Sequence, residues 1–117
     1  MIHPTAIVDR KAEIDSSVEI GPYCIIEGNV IIKKESKLLS HIVVQGRTEI
    51  GENCTISPFA ALGGPPQDIS YKKEDTGLCV GNNNIIKEYV TMNRGTIHGK
   101  GITRVGDNNF IMAYSHI

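Results

Sequence analysis

Aliphatic residues recur at every sixth position of this chain. From the second residue onward this register holds only Ile, Val or Leu: Ile2, Val8, Ile14, Ile20, Ile26, Ile32, Leu38, Val44, Ile50, Ile56 and Leu62. A second register, four residues after each aliphatic, is mostly small: Ala6, Ala12, Val18, Cys24, Val30, Ser36, Ile42, Thr48, Cys54 and Ala60. A period of six does not fit an α-helix, which repeats every ~3.6 residues. In a strand, however, both registers point to the same side.

The pattern predicts an all-β solenoid in which each six-residue unit is a short strand followed by a turn. Three units close a triangular coil of about 18 residues, and the coils stack through parallel sheets around a continuous apolar axis. Gly21, Gly51 and Gly63 directly follow an aliphatic position, where we expect a sharp turn to need glycine. The chain reads as one β-helix domain over residues 1–117.

Two interruptions break the repeat. The first reads GGPPQDISYKKEDTGL and predicts a loop over about residues 63–79; the second, NRGTIHGKGITR, predicts a loop over 93–104. The register returns at Val80, Ile86 and Met92, and again at Val105, Ile111 and Ile117. Insertions in a solenoid commonly carry function, although a tolerated surface excursion is the alternative.

Composition and charge exclude several classes of protein. Aromatic residues make up only 5% and Trp is absent, while Ile and Val are abundant, which is typical of β structure. A net charge of -1 gives no argument for nucleic-acid binding. No apolar run approaches the roughly 20 residues of a membrane span, and no signal peptide is visible, so we expect a cytoplasmic protein without an integral membrane segment. Three widely spaced cysteines indicate neither a disulfide framework nor a zinc site, and we expect Cys24 and Cys54 to be small buried hydrophobes.

Four stretches carry a resemblance to a known family: HPTAIV, GPPQDISYK, VTMNRGT and VGDNNFIMAYSHI. In sequence and spacing they resemble the acyl carrier protein–UDP-N-acetylglucosamine O-acyltransferases among the hexapeptide-repeat acyltransferases. The resemblance implies a left-handed parallel β-helix, a homotrimer, and transfer of an (R)-3-hydroxyacyl group from acyl carrier protein to the 3-position of a UDP-N-acetylglucosamine-type sugar, the first step of lipid A synthesis. It implies a histidine general base, no metal, and no cofactor besides the phosphopantetheine of the acyl carrier protein.

The same resemblance implies the substrate-binding residues, which are Gln67, Asp68, Asn93, Arg94, Met112 and His116. Gln67 and Asp68 would hold the nucleotide sugar, and the Asp68 carboxylate could also orient the base. Arg94 could pair with a phosphate or with a carboxylate. Met112 would line the acyl or sugar pocket, and His116 would contact substrate.

The family motif continues as two histidines three apart, followed by Asp, whereas this chain stops at SHI. His116 matches the first of the pair, so the general base is expected beyond Ile117 and no catalytic residue lies in this chain. We therefore expect an N-terminal portion of a longer enzyme, inactive on its own and with an open β edge at its end.

Two other positions depart from the family pattern. Ser70 stands where the family usually has lysine, and Asn93 where many members have histidine. Both differences remove a potential cation near the nucleotide sugar. Our hypothesis is that they alter acceptor preference, for example toward a 3-amino sugar.

Other readings stay open. Another hexapeptide-repeat enzyme is one, such as the later N-acyltransferase of lipid A synthesis or a metal-dependent hydratase. A non-catalytic β-solenoid, either fragment or scaffold, is the other. No motif assigns a role to His41 or His98.

Overall fold

A computed structural model describes residues 1–66, 76–96 and 101–117, and within these ranges the chain forms fifteen short strands. They are β1 (Ile7–Val8), β2 (Glu13–Ile14), β3 (Glu19–Ile20), β4 (Ile25–Glu27), β5 (Val30–Ile32), β6 (Lys37–Leu38), β7 (Val43–Gln45), β8 (Arg47–Ile50), β9 (Thr55–Ile56), β10 (Ala61–Gly64), β11 (Gly77–Val80), β12 (Ile85–Ile86), β13 (Thr91–Asn93), β14 (Ile102–Val105) and β15 (Phe110–Ile111).

The strands assemble into three parallel five-stranded sheets. The first sheet has the order β1-β4-β7-β10-β13, the second β2-β5-β8-β11-β14, and the third β3-β6-β9-β12-β15. Ile7 pairs with Ile25 and Ile25 with Val43, so the chain advances 18 residues per coil. This register confirms the predicted triangular coil.

Both predicted registers point into the coil. In the middle of the stack the aliphatic column is completely buried, as at Ile26, Ile50 and Ile56, and the small register is buried beside it. Burying one such side chain contributes about 1.5–3 kcal/mol, so a column of stacked isoleucines is the main source of stability. At the first and last coils, Ile2 and Ile117 are 45% and 40% exposed, because each has a neighbouring coil on one side only.

The polar members of the small register have hydrogen-bond partners inside the stack. The Ser36 hydroxyl donates to the Gly51 carbonyl at 2.7 Å and accepts from the Cys54 amide at 3.0 Å. The Thr48 hydroxyl donates to the Gln45 carbonyl at 2.7 Å. A buried hydroxyl costs little when it is satisfied in this way, which explains how serine and threonine occupy core positions.

The expected role of glycine in the turns is only partly correct. Gly63 has a φ of 83°, as a sharp turn would require. Gly21 does not lie in the left-handed region; a Cβ there would overlap the carbonyl oxygen of Leu39 in the next coil, so close approach of the backbones requires this glycine. Two corners of the coil instead place other residues at positive φ: Tyr23, His41, Phe59, Tyr89 and Tyr114 at one corner, and Glu35, Asn53, Asn83 and Asn108 at another.

The first of these corners carries a ladder of aromatic rings in contact, here called the aromatic ladder: Tyr23, His41, Phe59, Tyr89 and Tyr114. All successive pairs are stacked except Tyr23 and His41, whose rings are tilted by 36°. Successive ring centroids are 5.1, 5.1, 5.3 and 5.1 Å apart, close to the spacing between neighbouring strands. His41, which no motif assigned, is therefore one rung of this ladder.

The described ends of both insertions lie at the corner between the first and second sheets, here called the insertion corner (residues 27–29, 45–47, 64–66, 76, 94–96 and 101). The strands extend into the predicted loop bounds, because β10 runs to Gly64, β11 begins at Gly77 and β14 begins at Ile102. Leu78 lies within the predicted loop bounds, two residues before Val80, where the repeat returns. In the structure it pairs with Thr48 and is buried.

Candidate functional site

Three of the predicted site residues line one depression at the insertion corner. Asn93, Arg94 and His116 border a cavity of about 340 Å³ between the last two coils. Its remaining lining residues are Pro66, Gly95, Thr96, Ile102, Thr103 and Ile117. The resemblance thus selected residues far apart in sequence that the fold brings together.

His116 is held by side-chain and backbone contacts. Its Nδ1 lies 2.7 Å from the Thr91 hydroxyl, and the direction of this hydrogen bond depends on the imidazole tautomer. The Ile117 amide donates to the Thr91 carbonyl at 2.9 Å, and the Asn93 amide donates to the Ile117 carbonyl at 3.0 Å. The exposed ring is therefore fixed in position while remaining accessible to a ligand.

Residues 93–96 form one wall of the depression. Their backbone is hydrogen-bonded to residues on both sides of the first insertion. The Arg94 amide donates to the Gly64 carbonyl at 2.8 Å, and the Gly95 amide donates to the Gly77 carbonyl at 3.0 Å. Because Gly64 ends β10 and Gly77 begins β11, the two insertions share a backbone framework at their bases.

The Arg94 side chain is directed away from His116. It lies across Gly46, on the coil beyond Gly64, whereas His116 belongs to the coil on the other side of β13. The Arg94 Nε is buried and has no hydrogen-bond partner. The backbone of Arg94 thus belongs to the depression, while its guanidinium is directed toward the earlier coils.

Within one chain, Met112 does not lie with Asn93 and His116 at the depression. It follows β15 on the third sheet, is 68% exposed, and is separated from His116 by the corner at Tyr114. Gln67, Asp68 and Ser70, together with His98, lie outside the described residues.

Two further residues escaped the sequence reasoning. Thr91 contacts His116, and the only available signal was its place at the start of the TMNRGT run. A side chain on Gly64 would lie 3.4 Å from the Asn93 Oδ1 and 3.6 Å from the Gln45 Nε2, so two amides from different coils flank this bare glycine. Gln45 gave no signal, because its neighbour Asn93 is 48 residues away, outside the 18-residue repeat.

The described lining of the depression offers several hydrogen-bonding groups. An imidazole, a carboxamide and two threonine hydroxyls at the depression suit a polar ligand such as a sugar. Residues 1–66, 76–96 and 101–117 contain no group of three or more His, Cys, Asp or Glu placed to hold a metal ion. In the same ranges no helix is long and apolar enough to cross a membrane.

The chain is similar in sequence to curated acyl-[acyl-carrier-protein]–UDP-N-acetylglucosamine O-acyltransferases. It is 59% identical to the protein from Thermodesulfovibrio yellowstonii over 116 residues, which is 99% of this chain and 45% of that protein. It is 47% identical to the Rickettsia bellii protein, again over 99% of the chain and 41% of the relative. The chain therefore spans less than half the length of these relatives. No family model matches the chain.

Solved structures give the same result. The UDP-N-acetylglucosamine O-acyltransferase from Moraxella catarrhalis superimposes with a TM-score of 0.98 at 45% identity, covering 99% of this chain and 45% of that one. The Bacteroides fragilis UDP-N-acetylglucosamine acyltransferase gives a TM-score of 0.97 at 40% identity, covering 100% and 46%. The predicted resemblance is confirmed, and with it the left-handed winding of the β-helix.

Proposed function

We propose that this protein is an acyl carrier protein–UDP-N-acetylglucosamine O-acyltransferase that carries out the first step of lipid A synthesis. It would transfer an (R)-3-hydroxyacyl group from acyl carrier protein to the 3-position of the glucosamine ring. One observation carries the proposal: the residues selected by family motifs, Asn93 and His116, line one polar depression in a chain 59% identical to a curated member over 99% of its length.

In this reaction, the role of the residues in this chain is to bind and orient the acceptor sugar. A sugar hydroxyl is a weak nucleophile, so a base must take its proton as the hydroxyl oxygen attacks the thioester carbonyl. The new C–O bond replaces the C–S bond, and the proton ends on the phosphopantetheine thiol. We place this base beyond Ile117, and assign His116 and Asn93 to holding the sugar through hydrogen bonds.

We further propose that copies of the chain pack through the outer face of the first sheet as a homotrimer. This face carries an apolar column made of Ile7, Ile25, Val43 and Ala61, and it continues into Thr91 and His116. Ile7 is 63% exposed. Covering this column would stabilise an assembly and place a second copy beside the depression. It would also allow Met112, which its own chain keeps on another face, to serve the pocket of a neighbouring copy.

The test is an acyl-transfer assay with the complete protein, (R)-3-hydroxyacyl carrier protein and UDP-N-acetylglucosamine, following the acylated sugar by mass spectrometry. A parallel assay with the 3-amino sugar examines the acceptor preference suggested by Ser70 and Asn93. Acylation unaffected by a chelator is expected, and equal turnover of the two sugars would contradict an altered preference.

A negative result is equally informative. If the complete protein acylates neither sugar, the non-catalytic solenoid reading replaces this proposal. If the 117-residue chain alone is active, the base does not lie beyond Ile117.

A further inference from the structure

The contact between Arg94 and Gly46 joins two coils that are not neighbours. Gly46 follows β7 and Arg94 follows β13, with β10 lying between these strands in the first sheet. The Arg94 side chain crosses the turn at Gly64 to reach Gly46, while the Arg94 amide donates to the Gly64 carbonyl at 2.8 Å. One residue thus contacts two successive earlier coils, through its backbone and its side chain.

Only glycine permits this contact at position 46. A Cβ there would lie 2.8 Å from Cδ, 2.9 Å from Nε and 3.0 Å from Cζ of Arg94, and the first two distances are shorter than real Cβ contacts, so the Arg94 side chain would have to shift. Gly46 also has a φ of 71°, in the left-handed region that favours glycine. An alanine at position 46 would therefore displace the guanidinium.

The Arg94 side chain is held here by packing. Its Nε–H is buried without an acceptor, an arrangement that opposes this placement because a desolvated donor is left unsatisfied. Contact of the planar guanidinium with the flat glycine backbone offsets that cost. Buried polar atoms that remain unsatisfied are uncommon, and they concentrate where structure serves function.

The residues next to Arg94 in the chain line the depression. Arg94 begins the turn that includes Gly95 and Thr96, and its neighbour Asn93 donates its amide to the Ile117 carbonyl. Arg94 is joined to Asn93 by one peptide bond, so any part of a side-chain shift that reaches the Arg94 backbone also reaches Asn93. His116, by contrast, is fixed by its own bond to Thr91.

We propose that Gly46 and Arg94 are a positioning pair that fixes the wall of residues 93–96 against the acceptor sugar. Arg94 acts through its packing on Gly46, and not as a direct partner of the nucleotide phosphates. The substrate in this inference rests on the proposed function, whereas the fixing of the wall does not.

The chain provides a matched control for Gly46→Ala. Gly28 lies one coil earlier at the same corner with a φ of 90°, and the nearest atoms to its added Cβ would be those of the Gly46 backbone, at 3.2 Å and beyond. Gly28→Ala therefore introduces a similar left-handed backbone strain, and its Cβ presses on the Gly46 backbone rather than on the Arg94 side chain. In the complete protein we expect Gly46→Ala to raise the KM for UDP-N-acetylglucosamine about ten-fold over Gly28→Ala, equivalent to about 1.4 kcal/mol. The KM for acyl carrier protein should be the same in the two variants.

Two substitutions of Arg94 separate packing from charge. Arg94→Met keeps an unbranched side chain long enough to cover Gly46, and Arg94→Lys keeps the charge. Positioning by packing predicts that the acceptor KM rises less in Arg94→Met than in Arg94→Lys. If Arg94→Lys retains activity while Arg94→Met loses it, Arg94 contacts the phosphates directly and the inference is overturned.

Amide hydrogen exchange gives a readout that does not depend on catalysis. We expect the Asn93 and Arg94 amides to exchange faster in Gly46→Ala than in Gly28→Ala. If wild-type protein fails to use UDP-N-acetylglucosamine, the proposed function fails, yet exchange still decides whether the pair fixes the wall. Identical exchange in the two variants would overturn the inference even in an active enzyme.

Discussion

Thr91 and His116 lie directly opposite each other on the last two coils, and the Thr91 hydroxyl is 2.7 Å from the His116 Nδ1. This hydrogen bond restricts the imidazole to orientations that keep its Nδ1 on the threonine. A ring fixed in this way loses less rotational freedom when a ligand binds.

Removing the Thr91 hydroxyl should weaken acceptor binding. Thr91→Val preserves the shape of the side chain but frees the imidazole to rotate, so we expect Kd to rise by at most about five-fold, equivalent to about 1 kcal/mol. Calorimetric titration of the complete protein with UDP-N-acetylglucosamine measures it. Thr55→Val, on the third sheet, is the control and should bind like wild type. Unchanged affinity in Thr91→Val would show that Thr91 does not position His116.

Glu35 is the unusual member of its corner. It has a φ of 65°, while the other residues with a positive φ at this corner are asparagines, at 55°, 58° and 61°: Asn53, Asn83 and Asn108. Asparagine tolerates the left-handed region better than glutamate does. We expect Glu35→Asn to raise the free energy of unfolding by about 0.5–1 kcal/mol, measured by urea denaturation.

The control for this substitution is Glu35→Gln, which removes the same charge but keeps the longer side chain. It should give no comparable gain. Equal stabilisation by both variants would attribute the effect to charge, contrary to the backbone explanation.

Acid should selectively weaken the turn formed by Asp9. Its carboxylate accepts the Lys11 amide at 2.9 Å and the Gly28 amide at 3.0 Å, and these bonds lower the pKa of Asp9 below its ordinary value. A carboxyl with a lower pKa in the folded state stabilises the fold above its unfolded pKa of about 3.9, and this contribution is lost as the pH falls through the folded pKa. Asp9→Asn should therefore be less stable than wild type at pH 7.

The difference between Asp9→Asn and wild type should shrink as the pH is lowered from 5 toward 2. Denaturation curves across this range test the prediction, with Glu13→Gln as a variant that removes one charge from the same coil. A difference that stays constant down to pH 2 would show that the Asp9 carboxylate does not have a lowered pKa in the folded protein.

The three cysteines should differ in reactivity. Cys24 and Cys54 are buried, as predicted from their positions in the small register, while Cys79 is half-buried on the outer face of the second sheet. Burial raises the pKa of the Cys79 thiol, and the Glu49 carboxylate, 3.5 Å from its sulfur, raises it further. Because the thiolate is the reacting form, we expect alkylation at pH 7 to be slow at Cys79 and to require unfolding at the other two.

Glu49→Gln should lower the pKa of Cys79 and accelerate its alkylation at a fixed pH. The measurement is the pH profile of iodoacetamide labelling by mass spectrometry, whose midpoint should move to lower pH. Glu19→Gln, on the third sheet, is the control. An unchanged profile in Glu49→Gln would show that the carboxylate does not face the thiol in solution.

The hexapeptide period by itself determined the three-sided coil, its 18-residue advance and its buried columns. The reason is that each six-residue unit buries its aliphatic side chain in the same way, so Ile26, Ile50 and Ile56 have equivalent neighbours. The family motifs also cover Asn93 and His116, which line one depression in the structure. Both residues were selected because family motifs include them. Their spacing in the sequence does not show that they lie together.

Only the tertiary structure decided what happens at the corners, where the insertions destroy the period. The rings of the aromatic ladder are 18, 18, 30 and 25 residues apart, so the 18-residue coil aligns Tyr23, His41 and Phe59, whereas the insertions hide the alignment of Tyr89 and Tyr114 with them. The need for glycine at position 21 depends on a carbonyl one coil away, and the direction of Arg94 depends on Gly46 two coils away. These relationships arise between coils, where contact is set by stacking rather than by distance along the chain.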